Sequence, residues 1–286
     1  MPNSAKFIDC ARNVNSQYGE DGIVATILEV LPSRNHWCVE FGAWDGKYLS
    51  NTRVLIEDAE YSAILIEADP SSFSSLVENM KQFEGVTCLR AFVGFTKQDS
   101  LDIVLTPTAC PEDFDFLSID IDGNDIHVWR AVERYRPKLV CIEFNPTIPT
   151  GVLFEQPAND STKWGSSLDS IKALGEEKDY TLVCVNAVNA FFVANEYWSR
   201  MTQHVSLATN GRPCEVSPVF LFSGYDGTLL TSRKLSMPWH GLEIGREDLQ
   251  ILPRWLRKYP RDYNPFQSFA FRVMKKLRLF FNRRSP

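Results

Sequence analysis

Two aspartates near the middle of the chain stand where they could take part in chemistry. Asp120 and Asp122 fall in the unusual stretch 114–125, and on a strand the two-residue period puts both carboxylates on one face. Like charges at that separation raise one another's pKa unless a cation or a hydrogen-bond donor lies between them. Glu143 and Asn145 end a later apolar segment, and oxygen donors of this kind suit Mg²⁺. The sequence therefore predicts that Asp120, Asp122, Glu143 and Asn145 hold one divalent ion, which would polarise a hydroxyl group.

A metal-free alternative stays open for the same chemistry. Asp122, His127 or His240 would then take the proton of the hydroxyl directly, and Glu143 is a further catalytic candidate. His127 follows the acids at the start of a predicted helix. His240 follows Trp239, and an aromatic ring beside a titratable group is suited to stacking on a sugar ring.

A second set of candidate residues surrounds a glycine turn. An apolar segment ends in the spacing Glu40-x-Gly42-x-x-x-Gly46, and glycines there let the backbone approach a ligand closely. This spacing differs from the G-x-G-x-x-G of dinucleotide folds, and Tyr48 stands where a P-loop needs Ser or Thr. Glu67 ends the next apolar segment, where a carboxylate would accept both ribose hydroxyls of a nucleoside. The glycine spacing is similar to the first motif of class I S-adenosylmethionine (SAM) dependent methyltransferases.

The elements that must position these residues follow from the apolar pattern. Short apolar segments alternate with amphipathic helical patterns, which predicts parallel strands with helices on both faces. Two further apolar runs, 180–185 and 190–193, are separated by only a few residues and predict an antiparallel hairpin. The predicted fold class is α/β, a doubly wound, Rossmann-like, mostly parallel sheet with a C-terminal antiparallel hairpin strand. The acids and the glycines would meet at one edge of that sheet. The long loop 146–165 beside them is a candidate lid.

Six segments, in this order and spacing, resemble the FkbM-like methyltransferases. They are Ser16–Gly22, Val39–Ala43, Leu49–Thr52, Leu117–Asp125, Ile142–Asn145 and Asn189–Val193. The resemblance implies the class I methyltransferase fold and SAM-dependent O-methylation, in this family commonly of hydroxyls on sugars or glycan-containing natural products.

The resemblance also implies roles for individual residues. Ser16 and Gln17 would close over the cofactor, and Glu67 would bind its ribose. The methionine end of the cofactor would be lined by Glu40, Gly42 and Gly46. The remaining cofactor-binding candidates are Asn51 and Asp120.

The chain departs from the family pattern at two acids. Many FkbM-like proteins have Glu where this chain has Asp122, and Asp125 likewise replaces a commoner Glu. A shorter side chain keeps the charge and changes its reach, so the roles of these two acids are not transferred from the family.

Two alternatives are kept beside the methyltransferase: a scaffold that retained the fold and lost the chemistry, and a nicotinamide-dependent oxidoreductase. The second lacks both G-x-G-x-x-G and a Tyr-x-x-x-Lys pair.

Composition is that of an ordinary globular protein. Of 286 residues 44% are hydrophobic and 23% charged, and no run is long enough for a membrane helix. No signal-peptide pattern opens the sequence, so we expect a cytoplasmic protein. The seven cysteines include no C-x-x-C pair, which favours free thiols over disulfides or a zinc site.

Charge is distributed unevenly along the chain. The net charge is −6, but residues 254–286 carry ten Lys or Arg and one acid, a net of +9 that leaves −15 for the preceding residues. An acidic body argues against nucleic acid as a partner. From Phe266 the apolar positions fall on one helical face with the basic positions away from it, which is typical of a helix on an anionic membrane. Docking of this tail on the acidic body is the alternative.

We therefore expect three parts: a methyltransferase domain over 1–210 that includes an N-terminal cap helix, an extension over 211–260 packed on it, and a basic amphipathic tail helix over 261–286. The expected partners are a glycan or small-molecule hydroxyl acceptor and, through the tail, a membrane surface. The inner face of the membrane is then an alternative location to the cytoplasm, and a lipid-linked glycan is a candidate acceptor.

Overall fold

The computed structural model describes residues 7–201 and 219–282. The helices in these ranges are α1 Glu20–Val30, α2 Arg53–Asp58, α3 Pro70–Met80, α4 Leu101–Leu105, α5 Asp125–Ala131, α6 Leu168–Glu177, α7 Asn195–Met201 and α8 Pro265–Asn282. The strands are β1 Trp37–Phe41, β2 Ser62–Glu67, β3 Val86–Arg90, β4 Phe116–Ile119, β5 Leu139–Glu143, β6 Tyr180–Val185, β7 Asn189–Ala194, β8 Leu221–Ser223, β9 Leu229–Thr231, β10 Leu235–Met237 and β11 Leu242–Ile244. Single 3₁₀ turns cover Phe7–Cys10, Pro238–His240, Arg246–Leu249, Arg254–Leu256 and Pro260–Asp262.

The first seven strands form one sheet in the order β3-β2-β1-β4-β5-β7-β6. The pairs among β1 to β5 are parallel, whereas β7 pairs antiparallel with both β5 and β6. The strand order reverses between β1 and β4, so the sheet is doubly wound. The predicted fold class, a mostly parallel sheet closed by an antiparallel hairpin, is confirmed.

Alternate side chains of the central strands enter two separate apolar layers. One layer joins β1, β2, β4 and β5 to α5 and α6, and its members include Val39, Ile64, Leu117 and Trp129. The other layer joins the alternate positions of these strands to α1 and α3, and its members include Ile27, Cys38, Leu65 and Leu76. Because helices cover both faces, the strands have unbroken apolar runs.

The chain divides into two compact units, residues 1–216 and 217–286. The predicted boundary at 210 lies outside the described residues, and the predicted tail, 261–286, falls in the same unit as residues 219–260. Within the second unit β8 pairs with β9 and β10 with β11, both antiparallel. Of the apolar side chains described there, Leu256 is the one that is fully buried.

Two expectations from composition can be compared with the described residues. The cysteines in these ranges, Cys10, Cys38, Cys88, Cys110, Cys141 and Cys184, are free thiols. No helix in this part of the chain combines the length and the apolarity needed to cross a bilayer.

Candidate active site

The carboxyl ends of β1, β2, β4 and β5 form the edge of the sheet where the predicted residues gather, called here the carboxyl edge. At this edge Gly42 has a φ of 73°, and a Cβ on it would overlap the carbonyl oxygen of Asp120. Gly46 has a φ of 69°, and a Cβ on it would overlap the side chains of Leu76 and Met80 in α3. The left-handed conformation and the close contact both favour glycine. These two glycines bring the ends of β1 and β4 together and pack the turn against α3.

Glu40, near the end of β1, is buried and organises the loop that follows. Its carboxylate accepts hydrogen bonds from Ser50 Oγ at 2.7 Å, Asn51 N at 2.8 Å and Thr52 Oγ1 at 2.6 Å. Burial raises the pKa of Glu40, and these three hydrogen bonds oppose the rise. The structure therefore shows Glu40 positioning the loop 49–52.

Asn51 and Glu67 lie on either side of the glycine turn. Asn51 is buried and donates from Nδ2 to Ser118 Oγ of β4 at 3.0 Å. Glu67, half-buried at the end of β2, accepts from Trp44 N at 2.8 Å on one oxygen and from Asp69 N at 2.7 Å on the other. Each carboxylate oxygen of Glu67 accepts one backbone hydrogen bond and keeps a further lone pair.

Three carboxylates meet at the ends of β4 and β5. Oxygens of Asp120, Asp122 and Glu143 all lie within 4.8 Å of one another. Strand β4 ends at Ile119, so the two-residue period does not produce this group. Instead, Asp122 adopts a left-handed φ of 56° in a turn held by Asp125, whose two oxygens accept from Ile121 N at 2.9 Å and Gly123 N at 2.8 Å.

Burial and mutual repulsion oppose ionisation of the carboxyl groups here. Burial, followed by the charges of Asp125, Asp122, Glu40 and Glu20, raises the pKa of Asp120 to about 7. Asp120 nevertheless keeps solvent access. Burial followed by the charge of Asp120 raises the pKa of Glu143 to about 9, and Lys163 opposes that rise. Burial also raises the pKa of Asp125 to about 6.

Asn145 is engaged by the loop that follows β5. Its Oδ1 accepts from Thr147 N at 2.8 Å and from Thr147 Oγ1 at 2.6 Å, and its Nδ2 donates to Trp164 O at 2.7 Å. An amide oxygen has two lone pairs. Both are used here, so the predicted ligand set loses its fourth member in this arrangement.

His127 is also engaged by that loop. Its Nε2 is 2.8 Å from the carbonyl oxygen of Gln156, and its Nδ1 is 3.1 Å from Arg130 Nη1. A proton on Nε2 satisfies both contacts. The part of His127 as a base stays a prediction. The buried Gln156 side chain in turn donates to Asn124 Oδ1 at 2.7 Å and accepts from Trp164 N at 3.0 Å. The candidate lid is therefore fastened to the turn between β4 and α5.

Ser16 and Gln17 belong to a segment that packs against the start of α1. Asp21 Oδ2 accepts from the backbone amides of Val14, Asn15 and Ser16 at 2.7 to 2.9 Å and from Ser16 Oγ at 2.8 Å. The other oxygen, Oδ1, is buried and has no hydrogen-bond partner among the described residues. Gln17 is exposed. The charge of Asp21 also contributes to the raised pKa of Glu40.

Glu20 connects the same segment to the antiparallel hairpin. Its Oε2 accepts from Tyr18 N at 2.7 Å, and its Oε1 accepts from Asn186 Nδ2 at 2.6 Å and Asn189 Nδ2 at 3.0 Å. Asn189 pairs with Glu143 in the register of β5 and β7. Glu20 is thereby held close enough to contribute to the raised pKa of Asp120.

His240 lies in the second unit. It ends the 3₁₀ turn Pro238–His240, is exposed, and is followed by Gly241 with a φ of 61°. Its proposed part in proton transfer stays a prediction.

Several residues of the site were not assigned a role from the sequence. Glu20 and Asp21 were visible as paired acids in a first helical turn, a pattern that helix-dipole compensation also explains. Asp125 stood in the acidic stretch, two residues after a glycine, which is a signal for a side chain that closes a turn. Gln156 had no sequence signal, because its role depends on contacts with residues 124 and 164.

No family model matches the chain, and no curated protein matches it. Solved structures of similar fold include a protein assigned as a sarcosine dimethylglycine methyltransferase of Galdieria sulphuraria, 17% identical with a TM-score of 0.40, which covers 57% of this chain and 62% of that one. The chain thus spans less than two thirds of that protein's length. The N-terminal domain of EvdMO1, solved with S-adenosylhomocysteine and D-fucose, is 12% identical with a TM-score of 0.42 and covers 61% of this chain and 82% of that one. The CurJ carbon methyltransferase is 12% identical with a TM-score of 0.42, and the match covers 61% of this chain and 52% of that one.

Proposed function

We propose that the protein transfers a methyl group from SAM to a hydroxyl of a sugar, a glycan or a glycosylated natural product. The observation that carries the proposal is the carboxylate group of Asp120, Asp122 and Glu143 at the carboxyl edge, next to the glycine turn of β1. In open α/β sheets ligands bind outside the carboxyl ends of the strands, where the strand order reverses. In this sheet that point lies between β1 and β4.

The charge at this edge supports a cationic cofactor. Four carboxylates, those of Asp125, Asp122, Glu40 and Glu20, raise the pKa of Asp120. SAM has a sulfonium and an ammonium against one carboxylate, a net positive charge, whereas a nicotinamide dinucleotide has two negative phosphates. The anionic edge would attract the first and repel the second. This difference favours a SAM-dependent enzyme over the nicotinamide-dependent oxidoreductase.

The proposed cofactor site draws on several elements. Glu67 would accept the ribose hydroxyls with the lone pairs that its backbone hydrogen bonds leave free. Asp120 would face the sulfonium and the ammonium. Ser16, Gln17 and Asn51 would contact the cofactor from the neighbouring loops, while Glu40, Gly42 and Gly46 shape the turn. SAM has several hydrogen-bond donors. It therefore suits a segment in which the buried Asp21 Oδ1 has no hydrogen-bond partner within the described ranges.

The reaction is an in-line displacement. The acceptor oxygen bonds to the methyl carbon, the carbon–sulfur bond breaks, the sulfonium becomes a neutral thioether, and the hydroxyl proton passes to a base. Alignment of the reacting atoms can lower the barrier by about 7–11 kcal/mol, and a general base adds about 10²–10⁴ in rate. Asp122 is the proposed base, because a pKa of about 9 keeps Glu143 protonated at neutral pH.

The same three carboxylates also fit a divalent cation. Their oxygens lie within 4.8 Å of one another, and Mg²⁺ prefers such hard oxygen donors. Asp120, Asp122 and Glu143 would hold the ion, which would polarise the acceptor hydroxyl. Asn145 is not included, because its oxygen accepts two hydrogen bonds within the loop. Turnover after EDTA, with and without added Mg²⁺, separates the metal-dependent route from the metal-free one, and full activity in EDTA would exclude the ion.

Two measurements test the proposed function. Calorimetry with SAM and with NAD should show heat for SAM, and heat for NAD alone would overturn the cofactor assignment. Transfer of label from methyl-labelled SAM to a panel of bacterial surface glycans should then identify the acceptor. Binding of SAM without transfer to any acceptor would favour the scaffold alternative. The cytoplasmic location and the lipid-linked acceptor stay predictions.

A further inference from the structure

Helix α8 of the second unit has an exposed apolar face. Phe266, Phe269, Val273 and Leu277 are spaced three, four and four residues apart, which puts them on one side of a helix. Their exposed fractions are 70%, 63%, 42% and 52%. Isolated exposed apolar side chains are ordinary, but a contiguous stripe of this kind marks a surface that contacts something.

Most of the contacts that hold α8 within its own unit come from a different side of the helix. Gln267 is buried and donates from Nε2 to the carbonyl oxygen of Trp255 at 2.9 Å. One helical turn further on, the Phe271 ring lies 5.6 Å from the Tyr263 ring, centroid to centroid. At one end of the apolar face the Phe266 ring stacks on Trp255 of the same unit, with centroids 5.9 Å apart. Phe269, Val273 and Leu277 make none of these contacts, so this part of the face is left available for another surface.

The polar side of α8 is basic. Arg272, Lys275, Lys276 and Arg278 are exposed, and the helix contains no acidic residue, so it carries a charge of +4. None of these four side chains makes an ion pair within the ranges that the structure describes. Arg272 and Lys276 flank the apolar face, where long side chains can reach a charged surface while the apolar groups insert.

We propose that α8 lies flat on an anionic lipid bilayer, with the apolar face in the boundary between headgroups and acyl chains and the basic side chains among the headgroups. An 18-residue helix is about 27 Å long, and its four charges suit an interfacial position. Two α8 helices of charge +4 would repel each other, which disfavours pairing with a second copy. A polyanion such as nucleic acid would match the charges and leave the apolar face without a partner. A lipid surface satisfies both sides of the helix.

The test is sedimentation of the full chain with vesicles, with no cofactor or acceptor added. One set of vesicles is phosphatidylcholine alone, and the other also contains phosphatidylglycerol. We expect the protein to sediment with the anionic vesicles only, and less so at high salt. Arg272→Gln with Lys276→Gln should lower the partition coefficient roughly 25-fold, at about five-fold for each basic residue. Phe269→Ser with Val273→Ser should lower it at least as far.

Two controls make the result specific. Lys81→Gln with Lys172→Gln removes the same charge from exposed positions of the first unit and should leave sedimentation unchanged. Circular dichroism should show equal helix content in all variants.

Equal recovery of wild type and both α8 variants, or no recovery of the wild type, would overturn the proposal. So would loss of sedimentation in the Arg272→Gln, Lys276→Gln variant only, because the apolar face would then have no part in binding. Concentration-dependent dimerisation that the Phe269→Ser, Val273→Ser variant abolishes, without vesicle binding, would identify a second copy as the occupant. Because no cofactor is present, failure here leaves the proposed methyl transfer unaffected.

Discussion

The carboxylates at the two ends of β4 have opposite electrostatic surroundings. At the amino end, the buried Asp115 accepts from Lys138 Nζ at 2.6 Å and from the backbone amides of Asn35 and His36 at 2.8 to 3.1 Å. At the carboxyl end, Asp120 is surrounded by further acids, and the charges acting most strongly on it are all negative. The charge of an aspartate is therefore compensated by a lysine at the amino end of β4, whereas further acids repel it at the carboxyl end.

This difference separates a compensated ion pair from a group of carboxylates that repel one another. A buried ion pair whose remaining lone pairs accept hydrogen bonds needs no further partner, and the loss of one of its two residues destabilises the fold. A group of carboxylates that raise one another's pKa costs folding free energy, and a bound cation or a shared proton would relieve that cost. The four predictions below test this contrast, and they are ordered by expected effect.

The largest effect is expected at the amino end. Lys138→Met should lower the free energy of unfolding by about 3–5 kcal/mol, because it leaves the buried Asp115 charge without a partner. Asp120→Asn should leave the free energy of unfolding unchanged or raise it, because it removes one of several like charges. Urea unfolding of both variants is the measurement. The double variant Asp115→Asn, Lys138→Met should be less destabilised than Lys138→Met alone, and equal losses in Lys138→Met and Asp120→Asn would contradict the contrast.

The second effect concerns turnover at the carboxyl end. Asp122→Asn should lower the rate of methyl transfer about 10²–10⁴-fold, because it removes the proposed base or ion ligand. Its affinity for SAM should not change. Asn tolerates the left-handed φ of 56° at this position, so a loss of rate cannot be ascribed to backbone strain. Asp122→Glu, which keeps the charge, should retain more activity than Asp122→Asn, and equal rates for wild type and Asp122→Asn would remove Asp122 from the mechanism.

The sequence was sufficient for the fold and for the edge at which the acids collect. Unbroken apolar runs ending in Glu40, Glu67 and Glu143 predicted parallel strands whose ends lie together, and the sheet has that arrangement. Such runs are informative because a strand that is covered by helices on both faces has apolar side chains on both faces. The same pattern placed Asp120, Asp122 and Glu143 near one another, although their roles stay predictions.

The details of the site depended on contacts that no local pattern encodes. The period of a strand does not extend past Ile119, and the left-handed turn at Asp122 is held by Asp125 rather than by pairing. Asn145 was expected to face an ion, and the loop residues Thr147 and Trp164 engage its amide instead. Side chains at strand ends are oriented by whichever loop folds over them, and that loop is distant in sequence.

The third effect tests the cation directly. If the three carboxylates hold Mg²⁺, a concentration of about 100 times the dissociation constant should stabilise the wild-type fold by roughly 2.7 kcal/mol. Thermal unfolding with and without Mg²⁺ measures the effect without any reaction. Asp120→Asn with Asp122→Asn should abolish the stabilisation, while Arg134→Gln, an exposed surface substitution outside the site, should leave it intact. An unchanged melting temperature of the wild type at high Mg²⁺ would leave the metal-free route.

The smallest effect is the dependence of stability on pH at the carboxyl edge. The pKa of Asp120 rises from about 3.9 in an unfolded chain to about 7 in the fold, and that of Glu143 from about 4.3 to about 9. In that interval the folded state binds more protons than the unfolded state, so this contribution is fully present below about pH 4 and is lost as the pH rises through 7 and then 9. The expected loss is roughly 1–2 kcal/mol, because solvent reaches Asp120 and screens its interactions. Urea unfolding across this range should show a shallower decline for Asp120→Asn with Glu143→Gln than for the wild type. The same decline in both proteins would mean that these carboxylates do not oppose one another in the fold, and the contrast between the two ends of β4 would fail.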